Sequence, residues 1–295
     1  MNNFGGKWTE EKIAIFIKYV RAYLTIMGKQ PRFSLRYFDG FAGSGIIIPN
    51  KVAQTEFGFE SDVDEETNQA DVVAQIQGVA SRVLGIEDLR SFDRYDFIEK
   101  NQANAVGLQE LLTRDFPNRN ANVVVGDCNE KLLELAGDLR NPANNMVRTV
   151  AFLDPYGMQV RWESLEALKG LPIDLWILVP TGIGVGRLLK RDGQIKATWM
   201  NRLTSFLGLT EDAIIAHFYR QEASGSLFED APGLRKIPKA TEQVAKLYCQ
   251  RIKEAGLFEY VAEPRALKNS NNSTMYHFVL CTNVKVALKI ANEIK

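Results

Sequence analysis

What most constrains this chain is a rhythm of short apolar runs alternating with helical patterns. The runs are LRYFDGF, YDFIEKN (Tyr95 to Asn101), NVVVGD (Asn122 to Asp127), TVAFLDPYG (Thr149 to Gly157) and IDLWILVPTG (Ile173 to Gly182). They are apolar on both faces, as strands of a parallel sheet covered by helices must be. Helical spacing follows: Ala103, Val106, Leu108 and Leu111 after the second run, NEKLLELAGDL after the third, Leu165 and Leu168 after the fourth. Alternation repeated this often specifies an open, doubly wound α/β fold.

The flanks complete the plan. Thr9 reads as an N-cap ahead of Glu10 and Glu11, and Ile13, Phe16, Ile17, Val20 and Leu24 recur at helical spacing. This predicts a helix of about four turns, stopped near Gly28 and Pro31. At the other end, LFEYVAEP and TMYHFVLCTN are separated only by RALKNSNNS, too short for a helical crossover, so they should pair antiparallel. VKVALKIANEIK closes the chain as a helix. Two stretches break the repeat: 46–94, a long crossover with an acidic segment, and 183–256, a mostly helical insertion.

Composition excludes several classes. Lys+Arg and Asp+Glu both number 36, so net charge is near zero and nucleic acid would have to bind through local patches. Three cysteines without a C-x-x-C pair make a disulfide framework or zinc finger a poor reading. No apolar run approaches the length of a membrane span and the amino end has no apolar signal core, so the expected place is the cytoplasm. His217 and His277 have no second histidine at ligand spacing and read as structural; no metal is expected.

Ligands of open α/β sheets sit beyond the carboxyl ends of the strands. There the chain places Asp39, Glu99, Asp127 and Asp154, one acid per run. After Asp39 come Gly40, Phe41, Ala42, Gly43 and Gly45. The P-loop Lys-Ser/Thr is absent, and Ile48 stands where a dinucleotide loop has its third glycine. The turn therefore suits a ligand without phosphates. Glu99, with Lys100 beside it, is placed to accept from ribose hydroxyls, and Asp127, followed by Cys128, from an adenine amine; Asp39 would meet an amino-acid end. The set describes S-adenosylmethionine. Read singly, the glycine turn with Asp39 fits a plain turn as well as a site, Glu99 and Asp127 fit solvated strand ends better, and Cys128 fits a small packing residue.

The tetrapeptide DPYG resembles the D-P-P-Y and N-P-P-Y motifs of amino methyltransferases, and FAGSG resembles the glycine loop of nucleic-acid methyltransferases. The resemblance implies that Asp154 and the Pro155 carbonyl hold the target amine and that Tyr156 stacks on the base; Gly157 departs from the motif, which has a second proline and no glycine. Extruding a base into such a pocket is the usual solution when the target lies in a stack. No Pro-Cys stands at this position, which disfavours cytosine-C5 chemistry. KWTEEKIAIFIKYV, YFDGFAGSG, FLDPYGMQVRWESLEAL, DLWILVPTGIGVGRLL and MYHFVLCTNVKVALKIANEI together resemble the three-Cys-motif partner protein family. The resemblance implies a bacterial S-adenosylmethionine-dependent methyltransferase, often encoded beside a partner protein.

The expectation is thus one Rossmann-like class I methyltransferase domain over 1–295, with a mostly parallel seven-stranded sheet, an antiparallel C-terminal strand and a helical insertion. Arg187, Lys190, Arg191 and Trp199, with Lys196, Arg202, Arg235, Lys236 and Lys239, read either as a nucleic-acid contact or as a solvated helix face. The expected acceptor is an exocyclic amine of an RNA or DNA base. The alternatives are a protein or small-molecule acceptor, or a partner subunit that keeps only the cofactor fold.

Overall fold

The structure is a computed structural model describing residues 7–43, 79–189, 194–221 and 234–294. Gly45, Lys190, Arg191 and the greater part of the expected 46–94 crossover lie outside the described residues.

Helix α1 (Lys7–Gly28) is longer than its apolar spacing predicts. It begins ahead of Thr9, which is therefore no N-cap but a buried residue within the helix. Its inward stripe continues through Tyr19, Tyr23 and Met27. Then come β1 (Ser34–Asp39), α2 (79–84), β2 (Arg94–Glu99), α3 (Gln102–Asp115), β3 (Ala121–Val125), α4 (Cys128–Arg140), β4 (Val147–Leu153), α5 (Trp162–Glu166) and β5 (Ile173–Val179). All five predicted strands form. Asn101 caps α3 and Asp127 caps α4, each accepting backbone N–H groups that the first turn leaves unpaired.

After β5 a π-helical turn (Thr181–Val185) leads through α6 (Gly186–Leu188), α7 (Ala197–Leu207) and α8 (Glu211–Phe218) to a small ribbon, β6 (Tyr219–Gln221) with β7 (Leu234–Lys236), and then α9 (Ala240–Glu254). The chain returns through β8 (Tyr260–Val261), β9 (Arg265–Lys268), β10 (Thr274–Thr282) and α10 (Lys285–Glu293).

The sheet runs β3-β2-β1-β4-β5-β10-β8, with β9 also on β10. The first five strands are parallel and β10 is antiparallel to β5. The segment read from sequence as a linker contains β9, an eighth strand. It forms because β10 is long: β8 pairs with Cys281 and Thr282, leaving Thr274 to Phe278 open for β9 on the same edge. Eight strands thus occupy seven places. Asn269 closes the hairpin by accepting from the Asn271 and Ser273 amides.

Each face carries its own core. One packs α1, α2, α3 and α10 against Tyr37, Phe97, Phe152, Trp176 and Phe278; the other packs α4, α5 and α7 to α9 against Phe38, Leu153, Ile177 and Val179. Neighbours in sequence such as Phe152 and Leu153 face opposite cores, as the pleat requires. This places the carboxyl ends of β3, β2, β1 and β4 side by side with a helix layer on each flank. The arrangement is a Rossmann-like fold of the methyltransferase kind. None of the described helices is long and apolar enough to cross a membrane.

Candidate functional site

The register brings the four acids to one edge. Asp39 pairs with Phe97 on one side and Phe152 on the other; Glu99 and Asp154 lie two residues beyond those partners. Asp127 lies two residues beyond Val125, the partner of Glu99. The four adjacent strands that carry them span roughly 14 Å from axis to axis, with the acids in the order Asp127, Glu99, Asp39, Asp154.

The glycine turn is shaped by close approach. A Cβ at Gly40 would meet the Leu153 side chain and come within 2.6 Å of Cys128 Sγ. Gly43 adopts φ +67°, a conformation glycine takes without strain. Ala42 N donates to the Ile98 carbonyl at 2.8 Å, stitching the turn to β2. Cys128 is buried beneath Gly40; burial pushes its thiol well up, and Asp127 and Asp39 add to that. It is a packing residue, not a nucleophile.

Asp39 is buried, accepting the Phe41 amide at 3.1 Å and the Tyr37 hydroxyl at 3.4 Å. Burial pushes its carboxyl up to about 7; the Phe41 bond opposes this and nearby Asp154 adds to it. Glu99 accepts the Asn101 amide at 2.7 Å. Burial raises its carboxyl too, against the bonds from Asn101, Asn104 and the Gly43 amide. Asp127 Oδ1 accepts from Asn129, while Lys100 Nζ stands 3.8 Å from Oδ2 and Arg161 3.9 Å from Oδ1. Its burial works upward, but the Asn129 bonds and the two cations outweigh it and hold the carboxyl below its ordinary range.

At the fourth strand end, Pro155 is buried, Gly157 is half-buried and Tyr156 is 40% exposed. Tyr276 of β10 donates to the Tyr156 carbonyl at 3.3 Å, and Trp8 stacks on Tyr276 with centroids 5.0 Å apart. Asp154 receives a partner that the sequence reading missed. Lys12, 0% exposed, places its Nζ 2.5 Å from Asp154 Oδ2 and 5.2 Å from the centre of the Trp8 ring. The signal was a lysine on the apolar stripe with Trp8, Phe16 and Tyr19; without knowledge of what α1 covers, it had no meaning.

The remaining candidates that the structure describes follow β5 in the chain. Arg187 lies on α6, just past β5. Trp199 is half-buried on α7 against the core of that face, with Lys196 over its ring. Lys236 is directed inward, donating to the Gly186 and Leu189 carbonyls, and so serves the fold. His277 is buried with Nδ1 2.7 Å from Thr181 Oγ1. No group of three metal-ligating side chains occurs among the described residues.

The site is lined by acids, with backbone amides at the glycine turn and no cation among the turn's described residues 40–43; Lys12, Lys100 and Arg161 stand beside the acids themselves. It fits a nucleoside bearing hydroxyls and an ammonium group, and does not fit a polyphosphate. The strand order defines a methyltransferase-like α/β fold.

Comparison with known proteins adds little. No family model matches the chain, and no curated protein matches it. Among solved structures, protein LPL1258 from Legionella pneumophila str. Philadelphia 1, of family model DUF519, aligns over 98% of this chain and 91% of its own, at 15% identity and TM-score 0.44. The Escherichia coli protein yhhF, provisionally described as a methyltransferase, aligns over 55% of this chain and 66% of its own, at 14% identity and TM-score 0.27. The fold assignment rests on the strand order, and the three-Cys-motif partner resemblance on the sequence motifs alone.

Proposed function

We propose that this protein is an S-adenosylmethionine-dependent methyltransferase acting on a neutral amine, the exocyclic amine of a nucleic-acid base. The observation that carries the reading is the shared strand edge, on which Asp127, Glu99, Asp39 and Asp154 follow in that order; the first two would face the nucleoside and Asp154 of DPYG the acceptor. Asp127 would accept from the adenine amine, Glu99 from the ribose hydroxyls, and Asp39 from the ammonium of the amino-acid end. Bound there, the cofactor supplies an already activated methyl group, so positioning carries most of the rate. Asp154 and the Pro155 carbonyl accept hydrogens from the target amine and aim its lone pair inward. The exposed ring of Tyr156 offers a face for the base. Trp8, Phe152 and Tyr276 wall out water.

The Lys12–Asp154 pair supports a neutral acceptor. A lysine substrate would bring a second ammonium to a carboxylate already matched by a buried one, at a steep desolvation cost. A base amine brings no charge. The same pair supports one other reading: with its acid capped by Lys12, the chain is a partner subunit that retains the fold alone.

Two experiments separate these. Calorimetry with S-adenosylmethionine and S-adenosylhomocysteine should give micromolar binding; no heat at high micromolar concentration rules out the cofactor. Transfer of labelled methyl into RNA, DNA and total protein, followed by nucleoside mass spectrometry, should label a base amine. Label in protein alone moves the acceptor to a side chain, and cofactor binding without transfer favours the partner subunit.

A further inference from the structure

We propose that Asn129, the second residue of α4, is a positioning residue for transfer, fixing the distance between Asp127 and the DPYG turn. The proposal rests on the methyltransferase reading above.

Asn129 is 4% exposed, and its side-chain amide uses its full bonding capacity. Nδ2 donates to Asp127 Oδ1 and to the Gln159 carbonyl, both at 2.9 Å. Oδ1 accepts the Arg161 amide at 2.7 Å and the Ser164 hydroxyl at 3.0 Å. Two acceptors on one side and two donors on the other leave no choice of amide orientation. The chain of contacts then continues: Gln159 Oε1 accepts the Tyr156 amide at 3.0 Å, and the Gln159 amide donates to the Gly157 carbonyl at 2.8 Å. A continuous set of bonds thus runs from the adenine-side acid, through Asn129 and Gln159, to the aromatic residue of the acceptor turn.

The position admits no near substitute. Aspartate has the same shape but no N–H, so the Gln159 carbonyl would lose its donor and two carboxylates would stand face to face. Alanine keeps the helix but frees the 156–164 segment from Asp127. Because methyl transfer depends on alignment to within fractions of an ångström, loosening this tie should slow transfer more than it weakens the cofactor.

The test uses the full chain with Asn129→Asp, Asn129→Ala and Gln159→Leu. It measures S-adenosylmethionine affinity by calorimetry, initial transfer into total RNA at saturating S-adenosylmethionine, and amide hydrogen exchange over 156–164. Both Asn129 variants should lose about tenfold in affinity and at least a hundredfold in transfer, with faster exchange at Tyr156 and Arg161. Gln159→Leu, which cuts only the last link, should keep wild-type affinity and still lose at least tenfold in transfer; it decides the matter if the Asn129 variants do not fold. Transfer within twofold of wild type in folded Asn129→Ala or in Gln159→Leu overturns the proposal. Failure of the wild-type chain to bind S-adenosylmethionine overturns the methyltransferase reading instead, and unchanged exchange over 156–164 overturns the tie independently.

Discussion

Lys12 and Asp39 show how far a single side chain can be taken from its ordinary surroundings. Lys12 lies between Trp8 and Phe152 with its ammonium on Asp154. Breaking a buried pair from one side leaves an uncompensated charge, which costs about 3–5 kcal/mol. Lys12→Met should therefore lower the urea-derived unfolding free energy by about that much. Lys12→Met with Asp154→Asn should recover more than half, and a double variant no more stable than Lys12→Met would show the pair to be incidental. Asp39 makes a prediction about binding. With its carboxyl pushed up to about 7, it is protonated in mildly acid solution. An ammonium ligand needs it ionised. Affinity for S-adenosylmethionine should thus fall as pH drops below 7, approaching tenfold per pH unit. Calorimetry between pH 5.5 and 8 checks this, and Asp39→Asn should remove the slope; an equal slope in that variant assigns the proton elsewhere.

At the scale of elements, the glycine turn is tight because β1 ends where β4 and α4 crowd it. Gly40→Ala would drive a methyl group into Leu153 and Cys128. Overpacking of this kind costs about 1–3 kcal/mol. Chemical denaturation should show that loss, and Cys128→Ala in the same chain should restore part of it; full stability in Gly40→Ala would mean that α4 can give way. The strands themselves were legible because strands covered on both faces need unbroken apolar runs. So were their terminal acids, since a charge closes such a run. Strand β9 was not, because RALK is short and half polar, and forms only against the exposed length of β10. Lys12 was legible as a lysine on an apolar stripe but not as a site residue, since its partner lies 142 positions away. Asn129 left no sequence signal, as three of its four side-chain bonds depend on how α4 and the 159–164 segment meet.

For the whole molecule, buried titratable groups set opposing pH slopes on stability. Asp174, at the start of β5, accepts from Tyr19 of α1 and Thr282 of β10, and burial raises its carboxyl as it does that of Asp39 at the opposite edge of the sheet. Acids raised on folding favour the folded state while protonated. Their contribution is complete below the unfolded value near 4 and is lost as pH rises, for Asp39 through about 7. His277 acts the other way. Burial beside Thr181 lowers its ring to about 4. An unfolded histidine takes up a proton near 6.5, so its contribution is present above that value and lost as pH falls toward 4. Between pH 4 and 6.5 the two slopes oppose each other and should partly cancel. Unfolding free energies measured across pH 4 to 8 can separate them. The advantage of wild type over His277→Asn should grow from pH 4 to 6.5 and then level off. Asp39→Asn should gain on wild type from pH 4 to about 7 and then hold constant. Differences that do not vary with pH would mean that neither group changes its proton affinity on folding, and the cofactor slope assigned to Asp39 would then lose its physical basis as well.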